Sequence, residues 1–187
     1  MRARIRKALA RHNSRVIRDE RLRSSAVLIP LLEGDPWKVL FTKRTETLSQ
    51  HKGQICFPGG SRDPEDADLL ATAMRELHEE LGIEQEDVEI LGDLDDYVTV
   101  SDFVIRPFVG VLPRQYPYRV NQAEIAELLE VPLPFFLGPK NCRREWRVRR
   151  NHSGWVYFYD YGKHTIWGTT AQIVKSFVDL VFQEESV

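Results

Sequence analysis

The sequence contains little sulfur, with only two cysteines and two methionines among its 187 residues. Cys56 and Cys142 lie far apart in the chain and do not have the spacing of a zinc-ligand pair. A disulfide framework and a structural zinc site are therefore excluded as organising features of the fold. We expect both cysteines to be reduced residues that contribute to packing.

Long apolar segments are also missing. The longest uninterrupted run, from Ala26 to Leu32, is much shorter than the roughly 20 residues that a helix needs to cross a bilayer. The first residues do not form the apolar core of a signal peptide. The sequence therefore predicts a cytoplasmic protein that has no membrane partner.

Acidic and basic residues are unevenly distributed along the chain. Residues 1–23 hold nine Arg or Lys against two acids, whereas the remaining residues hold 17 basic and 26 acidic side chains. Nucleic-acid binding needs a basic surface, so the acidic body argues against a nucleic-acid partner. Length and composition predict a basic, helical extension at 1–23 and one globular domain at 24–187.

The basic extension has an apolar helical face, to which Ile5, Leu9, His12 and Val16 belong. This pattern favours a terminal helix that lies on the body of the protein. A nucleic-acid-binding arm, a helix on a membrane surface and an Arg-rich organelle presequence remain as alternatives.

Three carboxylates are concentrated in the helical segment from Arg75 to Ile83. Residues three and four apart share one face of a helix, so Glu76, Glu79 and Glu80 are expected to project from one patch. Arg75 at i, i+4 spacing from Glu79 relieves part of their repulsion, and a hard divalent cation, Mg²⁺ or Mn²⁺, suits the oxygens. The alternative is an amphipathic helix with a solvated acidic face.

The opposite face of this segment is apolar at helical period and is expected to pack against a sheet. Its members are Leu70, Ala73 or Met74, Leu77 and Leu81. Upstream, the sequence from Asp63 to Asp66 contains the capping acid and early proline typical of a helix start. Gly82 is placed to end the helix.

The spacing of these residues resembles the Nudix box, which reads glycine, five residues, glutamate, seven residues and then R-E-U-x-E-E-x-G-U, with U aliphatic. Arg75 to Ile83 match the second half completely. In the first half, Gly60 lies fifteen positions before Arg75 where the general box has fourteen. The candidates for the middle acid are Glu65, Asp66 and Asp68.

A second motif lies upstream of the box. Leu40 to Thr45 and Gly53 to Gly60 resemble the signature L-L-T-x-R-[SA]-x3-R-x3-G-x3-F-P-G-G of the coenzyme A pyrophosphatase branch of the Nudix hydrolases. Phe41, Thr45 and Ser49 depart from it. Ser49 matters most, because the arginine that it replaces would supply a phosphate contact.

The mixture of strands with a central and a terminal helix indicates an α/β protein. The resemblance implies a Nudix-type α/β/α sandwich with a mixed β-sheet. It also implies an enzyme, a Nudix diphosphatase, that cleaves coenzyme A or its derivatives to 3′,5′-ADP and 4′-phosphopantetheine. The expected partner is a small-molecule nucleoside diphosphate derivative, and a homodimer is left open.

The resemblance also implies roles for individual residues. Glu76, Glu79 and Glu80 are expected to bind one to three Mg²⁺ or Mn²⁺ ions, which neutralise the diphosphate and lower the pKa of water. Glu79 or Glu76 is the expected general base, and Glu124 is the second choice as base or metal ligand. Arg75 is expected to orient the cluster. The expected substrate contacts are Arg44, Lys52, Gly59 and Gly60.

The remaining elements are predicted from hydrophobic period and turn residues. A hairpin is expected from 25–32 and 37–42, and a basic hairpin from 143–150 and 154–161. Single strands are expected at 88–94 and 103–112. A short helix is expected at 121–129, where Glu124 would complement the helix dipole if it has no catalytic role. A terminal helix is expected to begin at Trp167–Ala171, which also resembles the coenzyme A branch.

Two other functions are compatible with the sequence. The departure at Ser49 and the basic extension allow a Nudix hydrolase for another substrate, such as ADP-ribose, a dinucleotide or capped RNA. A non-catalytic ligand-binding module of Nudix type is the other possibility, but it has no need of three mutually repelling carboxylates. Glu79→Gln separates the two classes, because an enzyme loses turnover whereas a binding module keeps its affinity.

Overall fold

The computed structural model describes residues 1–47, 52–113, 115–149 and 152–182. Its helices are α1 (Arg2–Arg11), α2 (Leu69–Leu81), α3 (Leu133–Leu137) and α4 (Gly168–Phe182), with short 3-10 turns at Gln85–Asp87 and Pro139–Asn141. No helix in these ranges combines the length and apolar composition needed to span a membrane.

The strands form one large and one small sheet. In chain order they are β1 (Arg23–Leu32), β2 (Lys38–Arg44), β3 (Ile55–Cys56), β4 (Gly59–Ser61), β5 (Glu89–Asp93), β6 (Tyr97–Val98), β7 (Phe103–Leu112), β8 (Ile125–Pro132), β9 (Cys142–Arg149), β10 (His152–Tyr161) and β11 (His164–Trp167).

The large sheet has the order β3-β2-β1-β7-β5, with β4 beside β1, β6 beside β7 and β8 beside β2. β1 and β7 are parallel over ten residue pairs, and the other pairs are antiparallel, so the sheet is mixed. The small sheet has the antiparallel order β11-β10-β9. The predicted basic hairpin is therefore present, although residues 150 and 151 at its turn lie outside the described part.

Two apolar cores cover the faces of the large sheet. On one face, α2 packs through Ala73, Leu77 and Leu81 against residues such as Leu28 and Leu40. On the other face, side chains of α1, α3, α4 and the small sheet form a second core. This arrangement of helix, mixed sheet and helix confirms the predicted α/β/α sandwich.

The helix predicted at 121–129 is wrong. Residues 122–124 form a turn, and Ile125–Pro132 is strand β8. β8 pairs with β2 from Ile125↔Arg44 to Pro132↔Lys38. Leu128 faces the α2 side of the sheet, whereas Leu129 and Val131 belong to the opposite core. Burial on both faces produces the apolar spacing that imitates a helix.

The basic extension is helical only as far as Arg11. Ile5 and Leu9 of α1 are 0% and 5% exposed and join the second core. His12 and Val16 lie beyond the helix, and Val16 is exposed. The predicted apolar face is thus shorter than the pattern indicates, and α1 packs against the body of the protein.

The arginines of α1 contact carboxylates of the body of the protein and backbone carbonyls at the carboxyl end of α4. Arg2 Nη1 lies 2.8 Å from Glu89 Oε2 and Arg2 Nη2 lies 2.6 Å from Glu33 Oε2. Arg4 Nε donates to the carbonyl of Val181 at 2.9 Å, near the end of α4. Much of the charge of the extension is therefore matched within the chain.

Candidate active site

Helix α2 is positioned by well-formed caps. The Asp68 side chain accepts a hydrogen bond from the Ala71 amide at 2.8 Å, so the helix begins at Leu69, a few residues after the predicted start. Gly82 adopts the left-handed conformation (φ +66°), which suits glycine, and donates to the carbonyl of His78 at 2.7 Å. The predicted end of the helix at Gly82 is confirmed.

Arg75 connects four groups of the site. Its Nε and Nη2 donate to the two oxygens of Asp66 at 3.0 and 3.1 Å, a bidentate pair. Nη1 donates to Glu76 Oε1 at 3.0 Å and to Glu79 Oε2 at 3.1 Å. Nη2 also reaches the carbonyl of Ser61. The hydrogen bonds that Arg75 donates to Asp66 raise the pKa of Arg75, so its charge is permanent.

Of the three candidates for the middle acid of the box, Asp66 is the one that accepts hydrogen bonds from Arg75. Asp66 is buried, and its Oδ2 also accepts bonds from the Thr72 hydroxyl at 2.8 Å and the Asp63 amide at 2.9 Å. The Arg75 guanidinium holds the pKa of Asp66 well below its usual range. Of the other two candidates, Asp68 caps α2 and Glu65 is exposed.

The three glutamates of α2 have different environments rather than forming one exposed patch. Glu80 is 2% exposed, whereas the side chains of Glu76 and Glu79 are 18% and 55% exposed. Burial raises the pKa of Glu76, and Arg75 opposes this shift. Glu76 and Glu80 therefore form the inner part of the site, with Glu79 at its margin.

Glu80 is a buried carboxylate with an unpaired atom. Its Oε2 has no hydrogen-bond partner among the described residues. Burial raises the pKa of Glu80 to about 8, and the neighbouring Glu76 adds to the shift. A buried, unpaired carboxylate costs free energy unless a proton or a cation balances it. This oxygen is the observation that most directly supports a cation site.

The glycine strand β4 lies against the same carboxylates. A Cβ atom at Gly60 would lie 2.3 Å from Glu76 Oε1, so a larger residue at this position would displace the Glu76 carboxylate. The backbone N–H of Gly59 favours the charged form of Glu80. Gly59 and Gly60 are held there by pairing with Val27 and Ala26 of β1.

Of the two basic residues expected to contact substrate, Arg44 is the one whose charge acts on the glutamates. Its positive charge lowers the pKa of Glu80, and its buried Nε has no hydrogen-bond partner among the described residues. Lys52 is exposed in a turn and makes no ion pair with a described residue. Ser49 lies outside the described part of the chain.

Glu124 approaches the inner glutamates from the turn before β8. Its charge raises the pKa of both Glu76 and Glu80. Its Oε1 accepts a hydrogen bond from the Asn121 side chain at 3.2 Å. The backbone N–H of Asn121 donates to the backbone carbonyl of Glu80 at 2.9 Å. Asn121, which sequence reasoning missed, therefore links the Glu124 turn to α2.

The donor chemistry of the site fits Mg²⁺ or Mn²⁺, which prefer carboxylate oxygens. In the described ranges, however, no three His, Cys, Asp or Glu side chains are already gathered as a ligand set. Glu76 and Glu79 are instead paired with Arg75, at 3.0 and 3.1 Å. The buried Glu80 oxygen remains available.

Comparison with known proteins identifies the family. A model of the NUDIX domain matches residues 22–132. Several relatives carry the name "Uncharacterized Nudix hydrolase NudL", and two of them are described here. The one from Photorhabdus laumondii is 40% identical over 152 residues, 81% of each chain. The one from Enterobacter sp. (strain 638) is 39% identical over 153 residues, 82% of this chain and 80% of that protein.

Solved structures show the same fold at low sequence identity. A MutT/nudix family protein from Enterococcus faecalis has a TM-score of 0.54 at 15% identity, covering 97% of this chain and 74% of that one. An Ap4A hydrolase from C. elegans has a TM-score of 0.51 at 19% identity, covering 59% and 80%. The family match, the relatives and the Arg75–glutamate site together place the chain in the Nudix family, as a hydrolase of nucleoside diphosphate derivatives.

Proposed function

We propose that the enzyme hydrolyses the diphosphate bond of coenzyme A or its derivatives, releasing 3′,5′-ADP and 4′-phosphopantetheine. The observation that supports this substrate is the signature from Leu40 to Gly60. Two of its residues act on the glutamates, because the Arg44 charge lowers the pKa of Glu80 and a Cβ atom at Gly60 would lie 2.3 Å from Glu76 Oε1.

We assign the metal ligands to Glu76, Glu79 and Glu80. Mg²⁺ or Mn²⁺, when bound, neutralises charge on the diphosphate and lowers the pKa of water. Arg75 holds Glu76 and Glu79 at 3.0 and 3.1 Å and so keeps both side chains near the buried Glu80. Glu76 and Glu79 would have to leave Arg75 for the three carboxylates to hold an ion together.

The remaining groups bind substrate and move a proton. Arg44 contacts the diphosphate through its guanidinium, and the backbone of Gly59 and Gly60 lines the site. Lys52, on the loop that leads into the site, is a further phosphate contact. Glu79 or Glu76 accepts the proton of the attacking water, with Glu124 as the second choice.

A second candidate is another nucleoside diphosphate derivative, such as ADP-ribose, a dinucleotide or capped RNA. The specific observation in its favour is Ser49, which replaces the arginine of the coenzyme A signature. The loss of one guanidinium removes one charged hydrogen-bond donor to phosphate. A hydrogen bond to a charged group typically contributes about 1.5–3 kcal/mol to the binding free energy.

The test is product analysis by mass spectrometry after incubation with coenzyme A, ADP-ribose and NADH, each with Mg²⁺, Mn²⁺ or a chelator. We expect coenzyme A to be the preferred substrate, cut to 3′,5′-ADP and phosphopantetheine only when metal is present. Preference for ADP-ribose or NADH contradicts the substrate proposal and leaves the diphosphatase reaction in place.

Variants of the glutamates test the assigned roles. Glu80→Gln and Glu79→Gln are expected to lower kcat by roughly 10²–10⁴-fold with the fold retained. Glu86→Gln, at an exposed position outside the site, is the matched control and should keep wild-type activity. Wild-type turnover in Glu80→Gln, checked by circular dichroism for an intact fold, refutes the role of Glu80.

A further inference from the structure

The carboxylate of Glu124 is carried by a turn rather than by a helix or strand. Residues 122–124 form this turn, directly before β8, and Asn121 precedes it. The charge of Glu124 acts on both Glu76 and Glu80, so the turn belongs to the surroundings of the site. A side chain on a turn is oriented by the hydrogen bonds around it, because no regular backbone fixes its direction.

Asn121 supplies most of these hydrogen bonds. Its Nδ2 donates to Glu124 Oε1, and its Oδ1 accepts from the backbone N–H of Ala123, both at 3.2 Å. Its carbonyl accepts from the N–H groups of Glu124 and Ile125 at 3.0 and 2.9 Å. Its own N–H donates to the carbonyl of Glu80 at 2.9 Å. One residue therefore shapes the turn, holds the Glu124 carboxylate and ties the turn to α2.

The direction of the Asn121 amide follows from its two side-chain partners. If its oxygen and nitrogen were exchanged, the oxygen would face the Glu124 carboxylate and the NH₂ group would face the N–H of Ala123. Both contacts would then be repulsive. The side chain therefore presents a donor to Glu124, and an aspartate of the same shape would present a like charge instead.

The backbone of the turn has a second attachment, at the end of β2. The N–H of Thr45 donates to the carbonyl of Glu124 at 2.8 Å, and Thr45 Oγ1 donates to the carbonyl of Ala123 at 3.2 Å. Neither bond involves Asn121. Loss of the amide donor at Asn121 is therefore expected to release the Glu124 carboxylate while the backbone of the turn stays in place.

We propose that Asn121 is a positioning residue, which holds the Glu124 carboxylate at the site and acts on the reaction only through Glu124. The inference rests on the proposed function and goes beyond it, because it requires Glu124 to contribute to turnover and makes that contribution depend on Asn121. The effect of a change at Asn121 must then vanish once Glu124 has lost its carboxylate.

A double-mutant cycle measures this dependence. Asn121→Asp keeps the acceptor for the Ala123 N–H and replaces the donor to Glu124 with a like charge. We expect it to lower kcat for coenzyme A roughly 10- to 100-fold, with KM changed less than about twofold. Glu124→Gln should lower kcat at least as much. In that background Asn121→Asp should change kcat by less than about twofold, since the new amide can donate to the new carboxylate.

Gln122→Glu is the matched control for the added charge. Gln122 is exposed and lies in the same turn, so this change introduces one negative charge without touching the contact between Asn121 and Glu124. It should keep kcat near the wild-type value. Circular dichroism checks the fold of each variant. Asn121→Ser, which also keeps an acceptor for the turn, replaces Asn121→Asp in the cycle if that variant does not fold, with the same outcomes expected.

The contact itself is measured without turnover. In ¹⁵N-labelled protein with a chelator present, the side-chain amide signal of Asn121 is assigned by its absence from Asn121→Asp. We expect Glu124→Gln to shift this signal and Glu79→Gln to leave it in place, because Glu79 pairs with Arg75 instead. A signal that Glu124→Gln does not move shows that the contact is not made, and the proposal then fails.

The kinetic outcomes separate this proposal from the proposed function. If the wild type cuts none of coenzyme A, ADP-ribose and NADH, the proposed function fails and the positioning role fails with it. If the wild type cuts coenzyme A but Glu124→Gln keeps full kcat, the positioning role fails and the diphosphatase function stands. The same conclusion follows if Asn121→Asp lowers kcat equally with and without the Glu124 carboxylate.

Discussion

At the scale of single residues, one guanidinium positions three carboxylates. Arg75 bonds to Asp66, Glu76 and Glu79 at distances of 3.0–3.1 Å. Asp66 is the least exposed of the three and keeps its charge because of that bond. Removing the charge of Asp66 should therefore weaken its hydrogen bonds with Arg75 and lower the free energy of unfolding.

We predict that Asp66→Asn lowers the free energy of unfolding by roughly 2 kcal/mol at pH 7. The folded-state pKa of Asp66 lies below its ordinary value of 3.8. The charged form therefore stabilises the folded state above that value, and this contribution declines as pH falls from 3.8 towards the lower pKa of the folded state. Urea unfolding of both proteins from pH 7 to pH 2.5 should show a difference that narrows below pH 3.8.

Asp63→Asn is the control for this comparison. The Asp63 side chain is 59% exposed, and its Oδ2 lies 3.7 Å from Arg75 Nε. A substitution there should change the stability by less than about 1 kcal/mol at every pH. A difference between wild type and Asp66→Asn that stays constant down to pH 2.5 would contradict the ion pair as its source.

The sequence could predict which glutamates belong to the site but not how each is exposed. With about 100° between successive helical residues, Glu80 lies roughly 40° from Glu76 on the side of the buried Leu77 and Leu81, and Glu79 lies roughly 60° on the other side. That rotation accounts for the buried Glu80 and the exposed Glu79. The role of Asp66 depends on the folded path of 61–68, which has no periodicity to reveal it.

At the scale of secondary structure elements, α1 contributes to the core although the charges around it resemble those of a solvated tail. Ile5 is fully buried, and Leu9 is 5% exposed. A helix of ten residues is marginal by itself. Its stability must therefore come from the packing against β5 and α4, which an apolar truncation will weaken.

We predict that Ile5→Ala lowers the free energy of unfolding by roughly 2–5 kcal/mol, because it leaves a cavity in the second core. Chemical denaturation followed by tryptophan fluorescence measures the change. Lys7→Ala, on the exposed side of the same helix, should change the stability by less than about 0.5 kcal/mol. Equal stabilities for Ile5→Ala and Lys7→Ala would show that α1 is not packed in solution.

Elements differ in how well their sequence predicts them. Strand β7 occupies the predicted 103–112, and α2 ends at the predicted glycine. Strand β8 was predicted as a helix, because Ile125, Leu128 and Leu129 have helical spacing, although Leu128 and Leu129 belong to the cores on opposite faces of the sheet. The short strand β11 (His164–Trp167) was missed, since its four residues are defined only by pairing with β10.

At the scale of the whole molecule, the basic extension lies against acidic residues of the body of the protein. The acidic Glu33 and Glu89 contact Arg2, and Glu89 also contacts Arg6. A polyanion would have to compete with these carboxylates for the basic extension. We therefore expect the protein to have little affinity for nucleic acid.

We predict that the wild-type protein shows no binding to a fluorescent 20-base-pair duplex at 50 mM salt, measured by anisotropy. The double variant Glu33→Gln, Glu89→Gln releases both arginines and should gain weak binding that declines steeply with added salt. Binding by the wild type that falls with salt would show that the extension is a nucleic-acid arm.

The long parallel pairing of β1 with β7 has a consequence for synthesis of the chain. β1 ends at Leu32, whereas its partner strand is complete only at Leu112. At about 5–20 residues per second, the ribosome needs roughly 4–16 s to add the intervening 80 residues. During that interval one edge of an apolar strand stays without its partner. A newly made chain is therefore most exposed to aggregation at 26–32, and a chaperone that binds extended apolar segments would find it there.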